Sequence, residues 1–439
     1  MIVLLRTFKN IFKIEDLRRK LFFTFMALAV FRFGKFVPLP GIDTVALQDL
    51  ANTFFSGGFL QYMNMMSGGA LSKGAIFALG IMPYISASIM MQVLTVALPS
   101  LEALAKEGEA GRRVINQYTR YLTVGLSMVQ GFATVGLLEH GFGARLVLNP
   151  GWGFRITSVM ILTVGALFVM WLGEQITQYG IGQGASVLIF ANIVADLPSG
   201  ILKMLNSIQL GEMDLLVALL IAGFTLALTA CIVFLERGER RIPVQYARRV
   251  VGRRVFGGMN TYIPLKLNSA GVMPVILTST MMVFVMWIVK AVSTRFGMVS
   301  FLADLFDPNS PFQIVLTVIL IAFFSFVYTG IQYNPEELAD NIRKAGGFIP
   351  GIRPGRRTAA FFNYVLMRLG TSGAAYLAIL AVLPQLILRA LSSPVYLSGL
   401  SLLIAVGVAM DTSSQIEATL IERKYEGFLG TGRLKGRRG

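Results

Sequence analysis

The chain has 439 residues, of which 55% are apolar and only 14% charged, and its formal net charge is +16. A soluble chain of this size usually holds about 25% charged residues, so the low charged fraction indicates a protein embedded in lipid. One Cys and one His exclude a disulfide framework and a zinc site built from these residues, and no other metal or cofactor is expected.

Charge-free apolar runs predict the membrane spans, because a helix of about 20 apolar residues crosses a bilayer. Eight such runs occur, at 75–98, 121–138, 156–172, 215–235, 269–289, 312–331, 369–388 and 395–410. Two weaker runs, at 21–31 and 185–205, are flanked or interrupted by charged residues. The chain is therefore predicted to be an all-α polytopic membrane protein with ten transmembrane helices.

The run at 21–31 resembles a secretory signal peptide, because Arg18-Arg19-Lys20 precedes it and Ala27-Leu28-Ala29 lies within it. Only about six apolar residues precede this small-residue motif, fewer than a normal signal peptide has. We therefore expect the segment to be retained as the first transmembrane helix.

A short apolar segment at 60–73, reading LQYMNMMSGGALSK, lies between the first two predicted spans. It is apolar enough to enter the membrane, but a segment of about 10 to 14 residues is too short to cross it. One interpretation is a re-entrant helix that turns inward and blocks a passage. The alternative is a helix that lies flat on the outer surface.

The eight clear runs hold no Asp, Glu, Lys or Arg, the residues that mark ion and proton pathways in membranes. Three amides, Gln92, Gln130 and Asn268, lie in or near these runs. Such amides bond between helices in lipid. They are interpreted either as structural contacts or as polar contacts that open and close.

The loop at 236–266 is dense in basic residues, with eight Lys or Arg against two acidic residues. Its arginines alternate with Ile, Val, Tyr and Phe, which predicts a short strand-rich hairpin projecting from the membrane. The loop could serve only to orient its helices and to contact anionic lipid. We favour docking of a large anionic partner, such as ribosomal RNA, on Arg240, Arg241, Arg248, Arg249, Arg253 and Arg254.

A second loop, at 334–368, begins with Asn334-Pro335-Glu336-Glu337, a pattern typical of a helix start. It continues through 350–355, where two prolines and two glycines predict a stiff turn. This turn presents Arg353 as a contact residue.

The distribution of Lys and Arg predicts the side of each loop, because cytoplasmic loops carry an excess of both. With ten spans, 30 of the 39 basic residues lie on the side that holds both termini, and nine lie on the other. Both termini are therefore predicted to be cytoplasmic.

Several motifs occur in order along nearly the whole chain. They include SGGALSKGAIFALGIMPYISASIMMQVLT at 67–95, WLGEQIT at 171–177, YGIGQG at 179–184, FLERGERR at 234–241 and GFIPGIRPG at 347–355. With these motifs the sequence resembles the bacterial SecY family, the channel subunits of the Sec translocon in the inner (cytoplasmic) membrane. The resemblance implies two inverted five-helix halves, at 1–205 and 206–439, around a central pore.

The resemblance also implies a pore ring and a plug. It assigns the ring to Ile81, Ile85, Ile189, Ile276 and Ile404, and the plug to Tyr62, Met63, Asn64, Met65, Met66, Ser67, Gly68 and Gly69. Independently, Ile81 and Ile85 have the spacing that places two side chains on one helix face. Ala185 departs from the family, which commonly has a bulkier residue there, and the smaller side chain would leave the ring more open.

By the same resemblance, Gln92, Gln130 and Asn268 match polar positions of a lateral gate, a seam between helices through which signal sequences leave for lipid. The basic loop and Arg353, together with Arg356 and Arg357, match a docking surface for the ribosome and the SecA ATPase. Small SecE-like and SecG-like membrane subunits are further implied partners. The conducted substrates would be secretory and membrane-protein nascent chains.

The implied mechanism is passive conduction of an extended polypeptide through an apolar constriction that offers ions no hydrogen bonds. No nucleotide-binding motif occurs in the sequence, so the energy would come from a bound ribosome or from SecA, and no enzyme activity is predicted. The alternative is a small-solute secondary transporter with inverted repeats. Such a carrier usually needs charged groups near the midplane, which the clear spans lack.

Overall fold

A computed structural model of the chain describes most of the sequence. The described residues are 14–44, 46–47, 64, 67–140, 146–246, 249–251, 254–256, 260–279, 281–282, 285, 289, 310–391 and 399–431.

Long helices dominate the described residues. In chain order they are α1 (Glu15–Gly34), α2 (Met82–Ala97), α3 (Pro99–Lys106), α4 (Glu109–His140), α5 (Trp152–Tyr179), α6 (Gly184–Gln209), α7 (Leu215–Glu236), α8 (Pro311–Gln332), α9 (Pro335–Lys344), α10 (Arg356–Ala390) and α11 (Gly399–Thr431). Residues 273–279 are also helical.

The helices coincide with the predicted spans. Among the described residues, α5, α6, α7, α8 and α10 are each long and apolar enough to cross a membrane, and α2 with α3 forms a sixth candidate, bent by 99°. Helices α1, α4 and α11 overlie the predicted runs at 21–31, 121–138 and 395–410. In the predicted run at 269–289, residues 280, 283–284 and 286–288 lie outside the described residues. The prediction of a predominantly helical polytopic membrane protein is confirmed.

The second span begins later than predicted. The apolar run starts at residue 75, but residues 75–81 form turns and α2 begins at Met82. The N–H of Ile76 donates to the carbonyl of Val37 at 3.0 Å, so this stretch pairs with the segment after α1. Gly80 has a φ of 55°, which a right-handed helix does not use. Hydropathy misses this boundary because buried turns are as apolar as a membrane span.

The predicted strands of the basic loop are present. A three-stranded antiparallel sheet has the order β4 (Asn260–Lys266), β1 (Glu239–Tyr246), β5 (Gly347–Phe348). Two further strands, β2 (Arg249–Val251) and β3 (Arg254–Phe256), pair with each other. Since β5 belongs to the second loop, the two loops that the sequence singled out form one sheet.

The chain divides into two compact units. The first comprises Met1–Thr95, Ser100–Ser199 and Val408–Gly439, and the second comprises Val96–Pro99 and Gly200–Gly407. The division into inverted halves at 205/206 stays a prediction. The C-terminal part of α11 belongs to the first unit, which hydropathy could not indicate.

Candidate functional site

The segment before α2 closes on itself through a side-chain network. Asn64 accepts at its backbone carbonyl from the Ser67 hydroxyl and the Gly69 N–H, at 2.9 and 2.7 Å. Its side-chain Oδ1 accepts from the Ser72 N–H at 2.9 Å. Asn64 and the described residues 67–72 are therefore joined in a tight, bonded turn. This turn contains Asn64, Ser67, Gly68 and Gly69 of the assigned plug, whereas Tyr62, Met63, Met65 and Met66 lie outside the described residues.

Aromatic stacking fixes the residues that follow this turn, up to the start of α2, within the first unit. The Phe77 ring stacks on Phe31 of α1 and on Phe168 of α5, with ring centroids 6.2 and 5.8 Å apart. A side chain at Gly165 of α5 would meet the Ile76 carbonyl at 2.3 Å, so α5 approaches this backbone closely. The segment leading into α2 is thus fixed between α1 and α5.

Three isoleucines of the assigned pore ring lie in the first unit and are buried: Ile81, Ile85 and Ile189. Ile81 directly precedes α2, and its carbonyl accepts from the Ile85 N–H at 3.1 Å, so the expected i, i+4 relation is present. A side chain at Gly173 would lie 3.4 Å from Ile81 Cδ1 and 3.6 Å from the Ala185 nitrogen. Ala185 and Ile81 therefore border the same part of α5.

The other two isoleucines of the assigned ring lie in the second unit. Ile276 is in the helical residues 273–279 and Ile404 is in α11, and both are buried. A side chain at Gly407 would meet Val272 at 3.5 Å, so α11 contacts the segment that carries Ile276. Each unit thus buries its own share of the assigned residues, while the ring itself stays a prediction.

The three amides differ in their surroundings. Gln92 is exposed on α2, whereas Gln130 on α4 is buried. Asn268 is buried, and its Nδ2 donates to Glu236 Oε1 at 2.7 Å and to the Gly271 carbonyl at 3.1 Å. Its Oδ1 has no hydrogen-bond partner among the described residues. Only Asn268 therefore has a described contact that could change partners.

The sheet and the second loop share one apolar core. Ile242 and Val244 on β1 point inward, where they pack with residues of α9 and α10, including Ile342, Phe362 and Val365. We call this assembly of β1, β4, β5, α9 and the first turns of α10 the basic platform. Because they share this core, the loop at 236–266 and the loop at 334–368 form one surface.

Basic side chains project from the platform. Arg240 is exposed, and Arg241 lies over the Tyr262 ring at 4.8 Å and donates to Glu239 Oε1 at 2.7 Å. The hydrogen bond to Glu239 raises the pKa of Arg241. Arg249 and Arg254 lie on β2 and β3, and Arg248 and Arg253 lie outside the described residues.

The second loop folds as predicted. Asn334 caps α9, because its side chain accepts from the Glu336 N–H at 3.1 Å, and Pro335 occupies the first turn. The turn that follows holds Arg353 exposed, and the Arg353 carbonyl accepts from the Thr358 hydroxyl at 3.0 Å. Arg356 and Arg357 are exposed at the start of α10. The assigned arginines of this loop therefore lie free of the core.

Contacts between distant segments were missed by the sequence reasoning. Arg120 on α4 donates two hydrogen bonds to Glu174 on α5, at 3.0 and 2.8 Å. Lys35, directly after α1, is buried and donates to Asn192 on α6 and to the Gly68 carbonyl. A charged residue beside an apolar run and an asparagine inside another were the available signals, but neither signal identifies its partner.

Several charges, those of Arg32, Asp196 and Lys73, gather around Lys35 near the bonded turn at 64–72. Burial lowers the pKa of Lys73, the Arg32 charge lowers it further, and the Asp196 charge raises it. Lys73 lies 3.9 Å from the centroid of the Phe36 ring. This part of the first unit therefore places cations within an apolar and aromatic surrounding.

Comparison with known proteins agrees with the motifs. The family model described as SecY matches residues 75–413. The protein translocase subunit SecY of Escherichia coli (strain K12) is 44% identical over 424 residues, covering 96% of each chain.

Two solved structures have the same fold. One is described as showing that the plug domain of the SecY protein stabilises the closed state of the translocation channel and maintains a membrane seal. Its TM-score is 0.65 at 18% identity, with 95% of each chain covered. The other, Sec61 in the canine ribosome-channel complex from the endoplasmic reticulum, has a TM-score of 0.60 at 16% identity, with 95% of each chain covered.

Together, the long apolar helices and these likenesses define a polytopic channel protein of the membrane. The chain belongs to the SecY family. It is a channel subunit of a protein translocase and not an enzyme. The alternative of a small-solute transporter is thereby excluded.

Proposed function

We propose that Ile81, Ile85, Ile189, Ile276 and Ile404 form the constriction of the channel and that the plug at 60–73 closes it from outside. The observation that carries this proposal is their burial: all five are buried, although other apolar residues of the spans, such as Leu219 and Leu226, are exposed as lipid-facing residues are. An apolar ring offers a hydrated ion no hydrogen bonds, so it favours dewetting at rest. An extended polypeptide can pass because the ring binds no particular side chain.

Plug closure is supported by the bonded turn at 64–72 and by the description of the plug domain in the SecY structure of the same fold. A plug that leaves by a hinge needs a fixed end. The segment after the plug supplies that end, because Phe77 stacks on Phe31 of α1 and on Phe168 of α5 just before the chain enters α2. The plug therefore acts as a stopper that moves while the residues after it stay in place.

Apolar signal helices leave sideways through the lateral gate in this proposal. Each CH₂ group transferred into lipid contributes about 0.8 kcal/mol, so the gate sorts segments by hydrophobicity. Gln92, Gln130 and Asn268 supply polar contacts along this seam. Asn268 is the best supported of the three, because one of its two polar ends is already bonded to Glu236.

The basic platform serves as the docking surface for the ribosome and for the SecA ATPase. Its exposed arginines, Arg240, Arg353, Arg356 and Arg357, suit phosphates and acidic protein surfaces. The described Sec61 structure of the same fold is a ribosome-channel complex, which supports the ribosome as a partner. Since 30 basic residues fall on this side, the platform and both termini face the cytoplasm of a cell whose inner membrane holds the protein. SecE-like and SecG-like subunits complete the complex.

Crosslinking from probes at positions 81, 189, 276 and 404 to a stalled translocating chain tests the constriction. We expect crosslinks from all four positions and none from probes at Leu226 or Phe323, which are exposed on α7 and α8. A stalled chain that crosslinks equally from the exposed control positions would contradict the proposal. A small solute that protects the four positions would also contradict it.

A further inference from the structure

Lys35 carries an interaction that the function described above does not use. It caps the end of α1, and only 2% of its surface is exposed. Its ammonium group donates to Asn192 Oδ1 on α6 and to the Gly68 carbonyl at 3.3 Å, and it lies 4.8 Å from the centroid of the Phe31 ring. A buried ammonium group is unfavourable unless it is hydrogen-bonded, so these partners hold it in place.

Gly68 is shaped to allow this contact. Its φ is +63°, and a Cβ atom there would lie 2.0 Å from Lys35 Nζ and 2.7 Å from Asn192 Oδ1. Any side chain would therefore displace the ammonium group from its acceptors. The Gly68 carbonyl also belongs to the bonded turn at 64–72, so whatever holds this carbonyl holds the whole turn.

We propose that Lys35 is a positioning residue for the plug: its ammonium group clasps the base of the plug, at Gly68, to Asn192 on α6. This inference rests on the proposed role of 60–73 as the plug. While the clasp is closed, the plug base is tied to two membrane helices at once. Opening requires Lys35 to lose one of its acceptors, so the clasp sets how readily the channel opens.

The energy of the clasp follows from its chemistry. A hydrogen bond to a charged group contributes more than a neutral one, and its loss leaves buried acceptors unsatisfied. Removing either partner should raise the fraction of channels with a displaced plug by about tenfold. Replacing Asn192 by Asp would instead turn the amide contact into an ion pair and tighten the clasp. A merely structural role of the two residues would not produce opposite effects.

The test measures plug displacement as the rate at which a water-soluble maleimide labels Ser67→Cys, in a background in which Cys231→Ser removes the native thiol. Ser67 is buried, so labelling requires the turn to leave its place. We expect Lys35→Met and Asn192→Leu each to accelerate labelling about tenfold. The double variant should exceed neither by much, because each single variant already breaks the Lys35–Asn192 contact of the clasp. Asn192→Asp should slow labelling.

Lys203→Met is the matched control, because Lys203 is an exposed lysine of the same helix as Asn192. It should leave the labelling rate unchanged. Unchanged labelling in Lys35→Met and Asn192→Leu would overturn the clasp, as would faster labelling in Asn192→Asp. If Lys35→Met does not fold, the two Asn192 variants still test the clasp, because Asn192→Leu should speed labelling and Asn192→Asp should slow it.

Ion conductance of proteoliposomes separates the clasp from the plug. Deletion of residues 60–69 should raise the resting conductance if this segment is the plug. An unchanged conductance would overturn the plug and with it the clasp's role in closure. The remaining outcome separates the two proposals: the deletion raises the conductance, but Lys35→Met and Asn192→Leu match the parent in both labelling and conductance. That result would overturn the clasp and leave the plug in place.

Discussion

At the scale of single residues, the two ion pairs between α4 and α5 show how these helices stay aligned. Arg120 and Glu174 form a bidentate pair, and Arg155 Nε lies 2.5 Å from Glu139 Oε2. The Arg120 pair is partly exposed, so it contributes at most about 1 kcal/mol. Because the two pairs lie at opposite ends of the helices, their main effect is to fix the register of α4 against α5 rather than to add stability.

Ile404→Asn tests the proposed constriction at one of its five residues. An amide at this buried position would stabilise water in the constriction by about 1 to 2 kcal/mol, so the resting ion conductance should rise about tenfold. Weakly hydrophobic signals should be accepted more readily for the same reason. Both effects are measured in proteoliposomes and by translocation assays. Ile404→Leu keeps the site apolar and is the control; a similar rise in that variant would contradict the role of apolarity.

Residue types could be predicted from the sequence more readily than residue pairs. Asn268 stood out because an amide is rare beside an apolar run, and the structure gives it a carboxylate partner. Lys35 and Asn192 are 157 positions apart, so no local pattern could pair them. Gln92 looked like Asn268 in the sequence, but it is exposed, because position along a helix does not fix which face meets a neighbour.

At the scale of elements, the basic platform includes α9, whose Ile342 packs in one apolar core with Ile242 and Val244 of β1. Asn334→Ala removes the cap of this helix, which should cost about 1 kcal/mol of helix stability. We expect proteolytic cleavage within 334–355 to speed up about fivefold when local opening precedes cleavage. Limited proteolysis of the reconstituted protein measures this. Asn334→Ser keeps the cap and should behave as the parent; equal cleavage of Asn334→Ala and the parent would argue against the cap.

Charge reversal at the tip of the basic loop tests docking. Arg254 lies on β3, and Arg253 directly precedes it in the sequence. Arg253→Glu with Arg254→Glu should weaken ribosome binding and lower its salt dependence by about one unit of slope for each lost phosphate contact. Binding titrations at several salt concentrations measure both. The control is Arg19→Glu on α1, which lies outside the platform, is paired with Glu15 and should bind nearly as the parent does. Binding that is unaltered at every salt concentration would refute the docking surface.

Spans were easier to predict than helix ends. Hydropathy marks the part of a helix that meets lipid, whereas the helix continues for as long as its backbone bonds are satisfied. Helix α4 therefore begins at Glu109, before the apolar run at 121–138, and α11 extends to Thr431, well past the run at 395–410. In the basic platform, the strands were predictable from the alternation of arginines with apolar residues. The pairing of β1 with β5 was not, because it joins two loops that are distant in the sequence.

At the scale of the whole molecule, segments from both ends of the chain meet within the first unit. Leu17 of α1, Ile181 and Ile416 of α11 share one apolar cluster. The Gly182 N–H donates to Gln415 Oε1 at 2.9 Å, which fastens the loop between α5 and α6 to α11. An even number of spans requires both ends on one side, and this cluster brings them to one place. The side of the membrane that they share stays a prediction from the distribution of basic residues.

Cysteine labelling in oriented vesicles tests this topology. In a Cys231→Ser background, single cysteines replace Asp16 near the start of α1, Ser414 in α11 and Leu148 after α4, all of which are exposed. A membrane-impermeant maleimide should label positions 16 and 414 in inverted vesicles and position 148 in right-side-out vesicles, because three spans separate 16 from 148. Positions 16 and 414 labelled from opposite sides would require an odd number of spans. That result would also contradict the prediction that the arginines of the basic platform and both chain ends lie on the same side of the membrane.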